Sequence, residues 1–227
     1  MTVGISMILN DSVIFASDSL VSKGTSEMWV GECSKIFKLG EYVGGIVWGA
    51  IDLAMSIVDE FNNENVSFDN YDGLIMKFSA FCRGRYKKIF NSPFKRKIFL
   101  GYLIGFYDSG GNREMYSIRS DFNFAPLRVS NGAEVVGVDK IARYLLAKHY
   151  KRDLSREQAL VLAHYVVNEN IKLLPLIGGP IQMSIIDCHG FRIVSNEMID
   201  NIRAQADRMR KLAGDFLINE VKNEKKC

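Results

Sequence analysis

The pattern of hydrophobic and polar residues predicts several antiparallel hairpins. Residues 2–9 alternate in hydrophobicity, as in a half-buried strand, and after a turn at residues 10–12 the strand 13–18 is apolar on both faces, which indicates burial on two sides. Turn residues separate the remaining predicted strands, which cover residues 35–39, 42–48, 98–107, 114–118, 181–187 and 191–194. We expect the second of two sheets to start at residue 98.

Between these groups of strands, apolar residues recur at helical spacing. The predicted helices cover residues 50–61, 74–89, 140–150 and 156–170, and a last one begins near residue 196. Ser155 and Gln158 have the spacing of a capping box at the start of the fourth helix. This order of elements predicts an α+β fold, a four-layer αββα sandwich of two antiparallel sheets. Because no linker or repeat interrupts it, we expect residues 1–227 to form a single domain whose C-terminal helix starts at about 196.

Composition and charge narrow the classes of function. The 227 residues are 48% hydrophobic and carry a net charge of +3, too small to indicate a nucleic-acid-binding protein. We interpret the basic residues at 83–88 and 95–97 as a solvated helix end rather than a phosphate-binding surface. There is no apolar run of roughly 20 residues and no signal peptide, so we expect a cytoplasmic protein without a membrane partner. Its cysteines and histidines lack metal-ligand spacing.

The second residue is a candidate nucleophile. A threonine hydroxyl is a poor nucleophile, but at a chain terminus the free α-amine, with a pKa of about 8, can accept its proton. Met1 followed by the small residue Thr2 is a usual substrate of methionine aminopeptidase, so ordinary processing would expose that amine. The alternative is that Thr2 is only the first residue of a strand.

Asp18 and Lys35 are the residues that could tune this amine. If the first hairpin turns through three residues, 10–12, Gly4 pairs with Asp18 and Asp18 lies on the face of Thr2; a two-residue turn would place it on the other face. A carboxylate at the end of a buried strand needs a partner, and Lys35 is the candidate. A lysine near the amine would disfavour its protonation. The alternative is a structural ion pair at a strand edge.

Five segments, taken together, resemble the landmarks of proteasome β subunits and their bacterial relatives. They occur in that family's order and at close to its intervals: residues 2–5 (TVGI), 13–18 (VIFASD), 34–39 (SKIFKL), 47–52 (VWGAID) and 177–181 (IGGPI). The resemblance extends to about Val194 and includes the turn at 106–110 (FYDSG). It implies the fold of the N-terminal-nucleophile hydrolases.

The resemblance also implies a role for individual residues. Thr2 matches the catalytic threonine, Lys35 the catalytic lysine and Asp18 the acid that fixes the lysine. Gly49 matches the glycine whose N–H binds the oxyanion, and Val47 the floor of the substrate-specificity pocket. Without the resemblance, Gly49 could be only a turn glycine and Val47 only a core residue.

Two segments depart from the family pattern. Where family members often carry a Ser-Gly pair, this chain reads Gly137-Val138-Asp139, and residues 174–179 (LPLIGG) replace Asp-x-x-Ser-Gly-Gly. The hydroxyls and the acid that help hold the threonine amine are therefore absent, with Asp139 as one candidate substitute.

The resemblance implies a threonine-type peptidase that acts on peptides or unfolded proteins without a metal or organic cofactor. It further implies a homo-oligomer, as a ring or stacked assembly, and suggests an ATPase unfoldase as a partner. Two alternatives stay open. One is a structural subunit with weak or no activity, and the other is a transpeptidase that uses the same threonine.

Overall fold

The computed structural model describes residues 1–22, 29–64, 70–91, 98–138 and 140–224, without the side chains of residues 22, 29, 30, 209 and 212–224. The strands are β1 (Val3–Ile8), β2 (Val13–Ser17), β3 (Leu20–Ser22), β4 (Trp29–Glu32), β5 (Ile36–Gly40), β6 (Val43–Gly49), β7 (Leu100–Tyr107), β8 (Arg113–Arg119), β9 (Pro126–Arg128), β10 (Ala133–Gly137), β11 (Gln182–Asp187) and β12 (Gly190–Ile193). The helices are α1 (Ile51–Asn63), α2 (Tyr71–Ile89), α3 (Lys140–His149), α4 (Arg156–Leu173) and α5 (Asn196–Glu224).

These elements form the predicted αββα sandwich. The first sheet has the strand order β10-β1-β2-β11-β12 and the second the order β5-β6-β7-β8-β9, and neighbouring strands in both are antiparallel. Helices α3 and α4 pack on the first sheet with α5 against α4, whereas α1 and α2 pack on the second sheet. The sequence analysis missed the short hairpin β3–β4, which lies outside both sheets.

The second sheet begins earlier than predicted. It starts with the hairpin β5–β6, at Ile36, and not at residue 98, because β6 pairs with β7 along its whole length, from Val43 opposite Phe106 to Gly49 opposite Leu100. Strand β10 instead returns to the first sheet and pairs with β1. Hairpins that follow one another in the chain therefore join one sheet or the other according to tertiary pairing.

The first hairpin also differs from its predicted register. Ile8 lies opposite Val13, and the N–H of Leu9 donates to the carbonyl of Ser12 at 2.8 Å, so the turn has two residues, Asn10 and Asp11, rather than three. Gly4 consequently pairs with Ser17, not with Asp18. The turn residues are held by two arginines from distant parts of the chain: Arg113 donates to the Asn10 carbonyl, and Arg156 binds the Asp11 carboxylate at 2.8 Å.

Three buried clusters fill the spaces between the four layers. One joins the first sheet to α3, α4 and α5, and another joins the second sheet to α1 and α2. The third lies between the sheets and is called the intersheet layer; it comprises Ile8, Val13, Phe15, Ile36, Ile46, Trp48, Leu103, Met115, Val136 and Ile186. The sheets approach closely at Gly44, where a Cβ would lie 2.4 Å from the Phe191 ring.

The surface carries the features set aside in the sequence analysis. Residues 83–88 lie in α2, where Arg85 pairs with Glu60, and residues 95–97 are outside the described residues. Among the helices of the described ranges, none combines the length and apolar character that crossing a membrane requires.

Candidate active site

Thr2 lies immediately before β1 and is almost fully buried, with 5% of its surface exposed. Its carbonyl accepts a hydrogen bond from the Val138 N–H at 2.8 Å. Gly137 has a φ of +84°, and a Cβ at that position would stand 1.9 Å from the Thr2 carbonyl oxygen. Only glycine fits this approach, so the end of β10 fixes the backbone of Thr2.

Asp18 and Lys35 form a fully buried ion pair beside this strand. Lys35 Nζ donates to Asp18 Oδ1 at 2.8 Å and to the Leu20 carbonyl at 2.8 Å, and the exposed fraction of both charged side chains is 0%. The Val3 N–H also donates to Asp18 Oδ1, at 3.0 Å. Asp18 thus connects Lys35 to the backbone next to Thr2, although the hairpin register is not the one predicted.

Lys35 also reaches the peptide bond that precedes Thr2. Its Nζ lies 3.5 Å from the carbonyl oxygen of Met1, whose carbon is bonded to the Thr2 nitrogen. An amine at residue 2 would therefore lie within a few ångströms of the lysine ammonium. The structure thus places Thr2, Asp18 and Lys35 next to one another, and their catalytic roles stay a prediction.

Burial shifts the pKa values of the groups around this peptide bond. It lowers the pKa of Lys35 and raises that of Asp18, and the attraction within the pair opposes both shifts. Burial, followed by repulsion from Lys35, lowers the pKa of the Met1 amine, with Asp18 acting in the opposite direction. The site therefore favours a neutral amine more than water does.

The backbone of Lys35 is held by a residue that the sequence analysis missed. Gln182, the first residue of β11, accepts from the Lys35 N–H at 3.0 Å and donates to the Cys33 carbonyl at 3.0 Å. The Lys35 carbonyl accepts from the Val47 N–H at 2.9 Å. The lysine is thus fixed from both sheets, and no pattern in the sequence singles out a glutamine at the start of a strand for this task.

Thr2 and Gly49 line one cavity of about 480 Å³. Gly49 is the last residue of β6, two positions before α1, and has a φ of +88°; a Cβ there would lie 2.4 Å from the Phe99 carbonyl oxygen. The other lining residues are Met1, Trp48, Phe99, Ser117, Arg119, Glu134, Val135, Val136, Gly137, Val138 and Arg143. The structure thus brings the predicted nucleophile and the predicted oxyanion donor to one opening.

Val47 lies elsewhere. It is fully buried, in the cluster beneath α1 and α2, and is not among the residues that line this cavity. The structure places its side chain among the apolar residues of the second sheet and its two helices.

The segments that depart from the family pattern carry apolar side chains here. Ile177 is buried in the cluster beneath α4, and Leu174 and Val138 pack against that cluster. The Gly178 backbone makes the polar contacts instead: its N–H donates to Asp18 Oδ2 at 3.4 Å, and its carbonyl accepts from the N–H groups of Ser19 and Leu20. Asp139 lies outside the described residues.

The chain has a four-layer αββα sandwich of two antiparallel sheets, which is the architecture of the N-terminal-nucleophile hydrolase folds. Within that class the chain belongs to the proteasome subunit family, because the family model described as "Proteasome subunit" matches residues 2–186. No group of three or more His, Cys, Asp or Glu side chains in the described part of the chain is placed to hold a metal ion.

Individual relatives show the same similarity at low identity. The chain is 24% identical over 203 residues to a proteasome subunit beta of Methanocaldococcus vulcanius, covering 88% of each sequence. It is 21% identical over 202 residues to one from Methanococcus aeolicus, covering 88% of this chain and 90% of that protein. A solved structure of an Anbu (Gly-1) mutant from Hyphomicrobium sp. strain MC1 superposes with a TM-score of 0.74 at 15% identity, covering 94% of this chain and 97% of that one.

Proposed function

We propose that this chain is a threonine-type peptidase whose nucleophile is Thr2 after removal of Met1. The observation that carries the proposal is the position of Lys35 Nζ, 2.8 Å from Asp18 Oδ1 and 3.5 Å from the Met1 carbonyl oxygen. Cleavage of the Met1–Thr2 bond at this point would leave a primary amine next to a buried ammonium. Membership of the proteasome subunit family supports the same class of chemistry.

In the proposed reaction, the Thr2 amine acts as the base. It takes the proton of the Thr2 hydroxyl as Oγ1 attacks the carbonyl carbon of the scissile peptide bond. The Gly49 N–H stabilises the oxyanion of the tetrahedral intermediate. The protonated Thr2 amine then passes this proton to the leaving nitrogen, the C–N bond breaks, and an acyl ester remains on Thr2. Water attacks this ester with the amine again as base and releases the acid.

Lys35 and Asp18 tune this amine. The ammonium of Lys35 disfavours a second positive charge on the neighbouring amine, so the amine stays neutral and able to accept a proton. Asp18 holds the lysine in place and balances its charge. The role of Val47 in substrate specificity rests on the resemblance alone, since its side chain is buried beneath α1 and α2 and does not line the cavity of Thr2.

The proposal includes the setting of the reaction. The substrates would be peptides or unfolded proteins, reached in the cytoplasm within a homo-oligomeric ring or stack, and an ATPase unfoldase would be the partner. No metal or organic cofactor takes part in any of the steps above.

One observation favours the alternative of a structural subunit with weak or no activity. Ile177 and Leu174 place apolar side chains against the core beneath α4, where relatives often carry a hydroxyl and an acid that hold the amine. In this alternative the Asp18–Lys35 pair only stabilises the fold. A transpeptidase would share the acyl ester but transfer it to an amine instead of water.

The first test combines intact mass with labelling by a threonine-directed electrophile. We expect the intact mass of the wild type to lack Met1. The electrophile should form one adduct on the wild type and one on Thr2→Ser, which keeps a hydroxyl at this position, but none on Thr2→Ala. Retention of Met1, or a processed wild type that forms no adduct, would refute the peptidase and favour the structural subunit.

The second test follows the product. Cleavage of a mixed peptide library by the processed protein that has not been treated with the electrophile should yield free acids. If an added amine nucleophile is instead incorporated into most of the products, the transpeptidase replaces the hydrolase. Native mass spectrometry of the same sample measures the oligomeric state.

A further inference from the structure

Trp48 and Val136 of the intersheet layer line the cavity next to Thr2. Trp48, Gly101 and Arg119 lie directly opposite one another on β6, β7 and β8, and residues paired in this way share a face of the sheet. The Trp48 ring covers Gly101, where a Cβ would lie 2.5 Å from it. At a strand spacing of about 4.8 Å, the Arg119 backbone lies about 10 Å from that of Trp48. Arg119 is therefore the next side chain of this row beyond the indole.

The guanidinium of Arg119 is held along one edge only. Its Nε donates to Asp121 Oδ1 at 3.0 Å and its Nη2 to Asp121 Oδ2 at 2.5 Å. The guanidinium carbon lies 4.7 Å from the centre of the Phe122 ring and 6.0 Å from that of Phe99. Within the described ranges, no hydrogen bond is made by the Nη1 end. A fixed guanidinium with one open edge has the geometry that recognises a carboxylate by two parallel hydrogen bonds.

The charges around the cavity favour an anionic group at this edge. Arg119 and Arg143 line the cavity, whereas Asp121, the partner of Arg119, does not. The only acid that lines it in the described part of the chain is Glu134, and its Oε1 is already bound by Arg143 at 2.9 Å and by the Val135 N–H at 3.0 Å. The lining therefore carries two guanidinium groups and one carboxylate that is already paired.

We propose that Arg119 selects peptides with a carboxylate close to the bond that Thr2 attacks. This specificity rests on the proposed function, since it assumes that Thr2 reacts with peptides in this cavity. The carboxylate is that of a Glu or Asp side chain, or that of the peptide's own C-terminus. The role of Arg119 is to bind this group, and it takes no part in bond cleavage.

The test compares matched substrates. Peptides are prepared in pairs that differ by Glu against Gln at each position near the scissile bond, and by a free against an amidated C-terminus. Because a hydrogen bond to a charged group is strong, we expect the pair for one position to show a clear preference. At that position the wild-type kcat/KM should be roughly tenfold higher for the acidic peptide than for its neutral partner. The difference should lie in KM, and high salt should reduce it.

Variants of two arginines on neighbouring strands identify the residue responsible. Arg119→Gln should lower the preference to about one, by weakening the acidic substrate, and Arg119→Lys should leave an intermediate value because a lysine lacks the planar edge. Arg128→Gln is the control: Arg128 lies on β9, pairs with Glu114 and does not line the cavity, so the preference should not change. Melting temperatures establish that each variant is folded.

The outcomes separate this inference from the proposed function. A wild type that forms the electrophile adduct and cleaves both members of every pair equally well would overturn the role of Arg119 and leave the peptidase standing. A preference that persists in Arg119→Gln would do the same. If Arg119→Gln does not fold, Arg119→Lys and the salt dependence of the wild type decide. A wild type without adduct or cleavage refutes the peptidase itself.

Discussion

At the scale of single residues, the buried pair Asp18–Lys35 combines a structural with a proposed catalytic role. Lys35→Ala leaves the Asp18 carboxylate without its ion-pair partner in a site that is 0% exposed. We expect a loss of about 3–5 kcal/mol in the free energy of unfolding, measured by chemical denaturation. The double variant Asp18→Asn/Lys35→Met removes both charges but keeps similar side-chain shapes and an oxygen that can accept from the Val3 N–H. It should therefore lose less stability than Lys35→Ala.

A comparison of the double variant with the wild type separates the effect of the pair on stability from its effect on reactivity. The double variant should be folded and processed, yet form the electrophile adduct much more slowly than the wild type, because its amine lacks a neighbouring ammonium. Equal rates of adduct formation in the two proteins would assign the pair to the fold alone.

A second residue gives the fold a dependence on pH. His164 on α4 is 2% exposed, its Nδ1 has no hydrogen-bond partner among the described residues, and burial lowers its pKa, followed by repulsion from Arg203 and then Lys172, with Asp207 opposing. Its folded pKa is below the unfolded value of about 6.5, so the unfolded chain binds more protons between the two values. We therefore expect the contribution of His164 to the free energy of unfolding to be complete above about pH 6.5. It should fall as the pH is lowered below that value, by at most about 1.4 kcal/mol per pH unit.

The measurement is the denaturant midpoint at two pH values, one above and one below the unfolded pKa of histidine. The variant His164→Leu removes the titrating group from the apolar side of α4, so its midpoint should fall less than that of the wild type as the pH is lowered. An equal fall in both proteins would show that other groups account for the acid sensitivity.

At the scale of elements, the surroundings of two glycines predict opposite effects of a substitution by alanine. Gly84 is exposed within α2 and a Cβ there would meet nothing within 4 Å, so Gly84→Ala should stabilise the protein by about 0.5–1 kcal/mol. Gly137 ends β10 with a φ of +84°, and a Cβ would lie 1.9 Å from the Thr2 carbonyl oxygen. We expect Gly137→Ala to cost at least about 1–3 kcal/mol and to slow labelling of Thr2.

Thermal melting of the two glycine variants, together with the electrophile assay, tests this difference. Gly84→Ala should label at the wild-type rate. If Gly137→Ala labels as fast as the wild type, the end of β10 does not control the position of Thr2.

At the scale of the whole molecule, the intersheet layer joins two halves that each have a core of their own. Leu103 is fully buried in that layer, and Leu74 is buried in the core beneath α1 and α2. We propose that the chain folds as one unit, so Leu103→Ala and Leu74→Ala should each cost about 2–5 kcal/mol and shift one common transition. Denaturation followed by far-UV and by near-UV circular dichroism checks this, and two separate transitions in either variant would contradict it.

Much of the architecture follows from local signals in the sequence. The capping box of Ser155 and Gln158 is present at the start of α4, and the helix predicted from Leu74 to Ile89 lacks only the first turn of α2, which begins at Tyr71. Helical spacing and strand alternation are properties of short segments, so they can be read without knowing the rest of the chain. The pairing of Asp18 with Lys35 is predicted from chemistry and not from periodicity, since a buried carboxylate needs a partner.

The sequence alone determined the order of the helices and of most strands, the four layers, and the candidate residues Thr2, Asp18, Lys35 and Gly49. Tertiary structure alone decided the two-residue turn at Asn10 and Asp11, the assignment of β5–β6 to the second sheet, and the support of Lys35 by Gln182. It also decided that Arg119 opens onto the cavity of Thr2. These features depend on contacts between residues far apart in the chain, and the spacing of residues along one segment carries no information about them.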